Sequence, residues 1–354
     1  MKAIIRREIL NYLKRPLFWI AIVVVIFGVF QQLNPYLNIH YIASEEELEN
    51  EYPETVHEGE VFEGYIPVNL EEHRELWENI IEESLVSDLG MSNDETSSVI
   101  QEMSGMEINE ACRYLEDEYG YYDAEYTWKD TAYRKGAIDE INDYIKEELE
   151  EHPFSWYFSR KFADFAGLFM GFTATILLAV LFMQDMRKNT YELLHTKPIS
   201  ATQYVVGKVA GGFLISLIIL AILNLVFWAA CMICTRGNGF EIRLTDFLLA
   251  TCQYILPNML MIVCAYTIAA LLFKNPLPAV PLLFLYMIYS NMGSRNAEGV
   301  YGYYGRPLAI MVRFPGMFFE VTPPPLAMVN QICLLIVSAV IVLIGIQLWR
   351  RRRI

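Results

Sequence analysis

The sequence lacks the signatures of the common catalytic centres. No Gly-x-x-x-x-Gly-Lys-[Ser/Thr] loop is present; Gly207-Lys208 has no upstream glycine partner, so the chain is not expected to bind ATP itself. His-Glu-x-x-His, Gly-x-Ser-x-Gly and Ser-x-x-Lys are also missing. Histidine is scarce, and His57, His73 and His152 have no metal-type spacing. The acidic cluster Glu147, Glu148, Glu150, Glu151 has no Asp-x-Asp-x-Asp-Gly frame to organise calcium and reads as a solvated helix face. Of six cysteines, only Cys112 lies between residues 37 and 160, which excludes a disulfide within that stretch. Cys231-x-x-Cys234 ends an apolar run without histidine or acidic partners and reads as small-residue packing, a disulfide to Cys252 being the lesser alternative. The first apolar run has no small-residue cleavage site and reaches membrane-spanning length, so it does not read as a removable signal peptide.

What is present is apolarity and charge, kept apart. The chain is 54% hydrophobic yet carries a formal charge of -15. Residues 37–160 hold 34 acidic and 7 basic residues, while the remainder holds 8 acidic and 20 basic. This is the pattern of an acidic soluble domain inserted into a basic membrane protein. Such acidity argues against nucleic acid as a partner, because phosphates would be repelled.

Residues 1–15 put Ile5, Ile9, Tyr12 and Leu13 on one helical face and Lys2, Arg6, Arg7, Lys14 and Arg15 elsewhere, which predicts an amphipathic helix in the membrane interface. A first span falls within residues 16–36, and the basic residues before it put the N-terminus inside. The acidic domain, 37–160, then faces outward and is expected to be mostly helical. Asn69 with Glu72 forms a capping signal ahead of Trp77, Ile81 and Leu85, with a stop at Gly90. Ile108, Ala111, Leu115 and Tyr119 mark a second helix, and Ile138, Ile141, Ile145 and Leu149 a third. Tyr119, Tyr121, Tyr122 and Tyr126 read as core or as a contact surface.

The membrane domain occupies residues 161–349. Spans two to six are expected at Phe162–Met183, Tyr204–Cys234, Phe247–Phe273 (kinked at Pro257), Leu277–Met292 and Ala327–Trp349. Gly167-x-x-x-Gly171 would allow close helix packing. Residues 294–326, rich in glycine, tyrosine and proline yet hydrophobic, read as an outer segment re-entering the membrane as helices. Residues 350–354 form a basic cytoplasmic tail. The fold class is therefore an all-α polytopic membrane protein of about six spans. The polar groups within the spans, Asn224, Gln253, Asn258, Asn291 and Gln331, together with Asp164 at the outer end of the second, are candidates for a substrate pathway or for hydrogen bonds between helices.

Between the second and third spans lies a polar island, 184–203, with Arg187, Lys188 and Lys197, and with Met186, Tyr191, Leu193 and Leu194 on one side of a short helix ended by Pro198. The run Asp185, Arg187, Thr190, Glu192, Leu193, Leu194, Thr196, Pro198, Ile199, Ser200, Gly207, Lys208 resembles the first cytoplasmic loop of type-2 ABC exporter permeases. Asn189 stands where that family usually has glycine, and His195 is untypical of it. The interfacial helix, the span number and the segment before the last span fit the same pattern, so the resemblance covers roughly the membrane two-thirds of the chain, not the acidic insert. It implies a permease that docks Arg187, Lys188, Tyr191, Glu192, Leu193, Leu194, His195, Thr196 and Pro198 on a separate ATPase. It further implies two such ATPases holding ATP and Mg, a second permease copy or sister permease, no cofactor on this chain, and a bacterial plasma-membrane location with both termini cytoplasmic. The expected cargo is a peptide, antimicrobial or amphipathic compound, with lipid-linked molecules, drugs and sodium behind it. A membrane sensor or scaffold with an extracytoplasmic ligand-binding domain is the rival from a different class.

Overall fold

The computed structural model describes residues 2–44, 47, 60–185, 199–295, 301–303 and 305–351. It separates into two compact units, residues 1–39 with 149–354, and residues 40–148.

The first unit is built from long apolar helices. After α1 (Lys2–Leu13) come α2 (Pro16–Leu33), α8 (Phe154–Asp185), α9 (Ala201–Cys234), α10 (Leu244–Ala250) continuing through a π turn into α11 (Leu256–Phe273), α12 (Ala279–Asn291) and α13 (Ala327–Arg351). Five stretches are long and apolar enough to cross a membrane: Pro16–Leu33, Phe154–Ala179, Ala201–Cys234, Leu244–Phe273 and Ala327–Arg351. The sixth apolar helix, α12, has 13 residues. At 1.5 Å per residue it is about 20 Å long, short of a bilayer core of about 30 Å.

Helix α2 begins with Pro16 at its first helical position, where a missing N–H costs no bond. It buries Phe18, Ile22, Val25, Val29 and Leu33, spaced by three or four residues. It exposes Ile20, Val23, Val24 and Phe27 on the other side. A helix apolar all round, with one face packed and one bare, suits a hydrocarbon solvent. The packed face meets α8, while α11 packs on both α13 and α8, and α1 lies along α9. Near the end of α11, Leu271 joins Ala201, Tyr204, Val205, Ile346 and Trp349 in one buried cluster that ties three helix ends together. Tyr204 stacks on Trp349 with ring centroids 3.8 Å apart.

The kink expected at Pro257 takes a specific form. The π turn, Thr251–Ile255, lies immediately before it. Proline supplies no N–H to the preceding turn, and widening that turn relieves the loss. The pair Gly167/Gly171 does not act as one packing motif: nothing approaches a Cβ position at Gly167, whereas Gly171 lies against Met287 of α12.

Residues 301–326 differ from expectation. The described part of this segment contains no helix; Ser294–Arg295 pairs antiparallel with Tyr301–Gly302, and irregular chain follows. Pro307, Pro315 and Pro323 to Pro325 account for this, since each removes a donor and bars helical backbone before it.

The second unit contains α3 (Leu70–Ser87), α4 (Asn93–Met103), α5 (Ile108–Tyr119), α6 (Ala124–Asp130) and most of α7 (Ile138–Glu151). Asn69 caps α3, its side chain accepting from Glu72 N at 2.9 Å. Ser92 and Glu95 form a capping box on α4, and Gly120 ends α5 at φ +68°. The core gathers Trp77, Ile81, Leu85, Val99, Met103, Ala111 and Leu115. Trp77 Nε1 donates to Ala124 O at 3.0 Å. A short antiparallel pair, Tyr65–Pro67 with Tyr133–Lys135, is the one strand feature among this unit's described residues. Arg134 on that pair reaches Glu72 and holds Glu140 by two hydrogen bonds of 2.7 and 2.8 Å. Those bonds draw the Glu140 carboxyl down to about 2. Of the tyrosine patch, Tyr121 is buried, whereas Tyr122 and Tyr126 are exposed.

Candidate functional site

Two ion-pair clusters sit toward opposite ends of α8. At one end, α1 contributes Glu8 and α9 contributes Lys208. Lys208 Nζ donates to Glu8 Oε1 at 2.8 Å, with the two side chains 1% and 6% exposed. Gly211, one turn along α9, makes room for this: a Cβ there would lie 3.2 Å from Glu8 Cβ. Beside the pair, Tyr12 OH donates to Leu177 O of α8 at 2.5 Å. The face of α1 against the other helices thus centres on Glu8 and Tyr12, while Ile5, Ile9 and Leu13 are half-buried and Arg6 and Arg7 are exposed.

At the other end, Lys161 and Asp164 project from α8 onto residues 313–316. Lys161 Nζ donates to Phe314 O at 3.2 Å and also to Gly316 O. Asp164 Oδ2 accepts from Phe314 N at 2.7 Å, and Oδ1 pairs with Arg313 Nε. Arg313 Nη1 donates in turn to Asn291 Oδ1 at the end of α12. Both α8 side chains are 3% exposed. These side chains satisfy polar groups of the irregular backbone at residues 314–316. Nearby, Ser155 Oγ donates to Asp246 Oδ2 at 2.5 Å and accepts from Arg243 N at 2.9 Å, joining the starts of α8 and α10.

The interior between these ends holds amides. Asn224 Nδ2 donates to Leu220 O, and its Oδ1 accepts from Thr251 Oγ1 at 3.0 Å, linking α9 to the π turn. Gln253 is half-buried in the same turn. Asn258, on α11, is fully buried; its amide donates to Tyr254 O while its Oδ1 has no hydrogen-bond partner among the described residues. Gln331, on the neighbouring α13, is 3% exposed and neither of its amide atoms has a partner among the described residues. An unsatisfied buried amide group costs on the order of 1–3 kcal/mol. Three such atoms on one pair of packed helices mark a place where apolar packing was not the only demand.

Of the sequence-derived pathway residues, Asp164 and Asn291 come together through Arg313, and Asn224 pairs with Thr251. Gln253 and Asn258 stand near that turn without a mutual contact. The coupling candidates Arg187, Lys188, Tyr191, Glu192, Leu193, Leu194, His195, Thr196 and Pro198 lie outside the described residues. Description resumes at Ile199, and Ser200 caps α9 through a capping box with Gln203. Sequence reasoning singled out Gln331 among the span amides but missed Glu8, Lys161 and Arg313. The available signal was a lone charge inside an apolar or oppositely charged stretch, which requires a partner. All six cysteines are free thiols. No group of three or more metal-ligating side chains occurs among the described residues.

Residues 143–290, from α7 to the end of α12, match the family model described as ABC-2 family transporter protein. The match covers less than half of the chain. No curated protein and no solved structure matches the chain. Together with the five membrane-length helices, the family match supports a multi-pass membrane protein that is a permease component of an ABC transporter, a family that implies an ABC ATPase partner. Both ion-pair clusters place one or more residues within the matched permease region: Lys208 in the first, and Lys161 and Asp164 in the second.

Proposed function

We propose that the chain is the permease subunit of an ATP-driven exporter. It forms the substrate pathway and takes its drive from two separate ATPase subunits, which hold ATP and Mg. A second permease copy, or a sister permease, completes the complex in a bacterial plasma membrane, with both termini cytoplasmic and residues 40–148 outside. The cargo is a peptide, an antimicrobial or another amphipathic compound.

The observation that carries this reading is the buried Glu8–Lys208 pair. Loop 184–203 leads directly into α9, and Lys208 lies two turns inside that helix. A push on the loop therefore reaches α1 and α9 as one body, and through Leu271, Ile346 and Trp349 it reaches α11 and α13. ATP binding can favour one permease state only if the ATPases contact the two states differently. Arg187 to Pro198 would carry that difference, with Glu192 and Leu193 at its centre. The unsatisfied amides of Asn258 and Gln331 support a polar path along α11 and α13.

Glu192→Arg and Leu193→Asp test the coupling role in full-length protein. The expected result is a permease that reaches the membrane in normal amount but neither binds its ATPase nor exports. A fully assembled and active transporter carrying either substitution would refute it.

A further inference from the structure

We propose that the first membrane unit holds a binding site for one anionic bilayer phospholipid, between residues 305–312 and the first two turns of α13. A cavity of about 300 Å³ lies there, and Leu308, Ala309, Val312, Leu326, Val329 and Cys333 form its apolar wall. Cavities of about 150 Å³ with such linings stay dry and accept benzene. By the same ratio this one holds a chain of about a dozen carbons.

The wall is built to be apolar even along its backbone. Pro307, Pro324 and Pro325 line it, and none has an N–H to leave unpaired beside lipid. Its geometry is also held against local preference. Leu308 at φ +59° and Leu326 at φ +62° adopt left-handed backbone, and Lys274 is the one other non-glycine residue to do so among the described residues. Two of three such residues bordering one cavity is the distribution expected where strain keeps a ligand site open.

The headgroup preference follows from Arg306. It lines the cavity, donates from Nη2 to Gly293 O at 2.8 Å, and lies over the Tyr289 ring at 5.3 Å. It is half-buried and has no carboxylate partner among the described residues. An arginine fixed in this way brings an unpaired positive charge and its outer N–H groups to a phosphate at the mouth of an apolar slot suited to a chain. A phospholipid with net negative charge satisfies both. The inference does not depend on the exporter reading, since a lipid can occupy this site whatever the permease moves.

The test uses full-length protein in phosphatidylcholine nanodiscs containing a trace of phosphatidylglycerol with a photoreactive acyl chain, or the phosphatidylcholine probe of the same chain. The expected result is crosslinking within residues 305–333, at least tenfold greater for phosphatidylglycerol and displaced by unlabelled phosphatidylglycerol. Arg306→Gln is expected to bring the two probes level. Val329→Trp, which fills the cavity from its exposed side, is expected to abolish both signals. Equal capture of both probes by the unmodified protein, or no displacement by unlabelled phosphatidylglycerol, would overturn the proposal, as would a Val329→Trp protein that elutes normally and still crosslinks there.

Discussion

Replacing Lys208 with methionine is expected to destabilise the membrane unit far more than replacing Lys208 and Glu8 together. The two charged groups meet at 2.8 Å with almost no solvent contact. Removing Lys208 takes the cation from the buried Glu8 carboxylate, and loss of one partner of a buried pair costs about 3–5 kcal/mol. Substituting both by apolar residues of similar volume removes the desolvation cost along with the attraction, and is typically neutral or stabilising. For a unit of this size 1 kcal/mol shifts a thermal midpoint by about 2–4 °C, so Lys208→Met should lower it by about 6–20 °C. The double variant should return to within a few degrees of the starting protein. The assay is a double-mutant cycle on detergent-solubilised full-length protein, read by the loss of a monodisperse elution peak with temperature. If each single change is neutral, or if the double change equals their sum, α1 and α9 are not joined by this pair and the coupling route through them fails.

Three further outcomes concern the second unit. The Glu140 carboxyl titrates at about 2 when folded, below its ordinary 4.5, chiefly because of its hydrogen bonds to Arg134. The stability it contributes is therefore present above about pH 4.5 and is lost as the pH falls from there toward 2; thermal midpoints across that window should fall less steeply for Glu140→Gln. Trp77 is fully buried at the centre of its core. Trp77→Ala should cost about 3–5 kcal/mol, seen as loss of part of the helical circular-dichroism signal at a lower temperature than in the unmodified protein. Burial pushes the Cys112 thiol up to about 11, so at pH 8 it should react with maleimide far more slowly than the exposed Cys234, by peptide mapping of the labelled protein.

The helices of both units were largely readable from residue pattern. In the acidic domain, Asn69 with Glu72 and the spacing of Trp77, Ile81 and Leu85 mark α3 because capping and burial act locally. Helix α4 was missed although Ser92 and Glu95 spell a capping box, since three buried residues, Thr96, Val99 and Met103, give little periodicity. The strand pair at residues 65–67 and 133–135 could not be read, because its partners lie nearly seventy residues apart and each is three residues long. In the membrane unit, apolar length marks the long spans, but it cannot say which polar groups meet. Glu8 and Lys208 are 200 residues apart. Lys161, Asp164 and Arg313 come together only when the chain before α13 folds back on α8. Each of these charges was visible as an exception to its surroundings; the pairing was not. The hydrophobic character of residues 301–326 suggested helices, and the prolines decided otherwise.

The measurement that bears most directly on the central reading is isolation of the tagged protein from its native membrane in mild detergent, followed by an ATPase assay of what is recovered. The expected result is a co-purifying nucleotide-binding subunit in a two-to-two complex, with ATP hydrolysis that disappears when Glu192→Arg is introduced. Recovery of the permease without any ATPase, or a complex indifferent to Glu192→Arg, would contradict it.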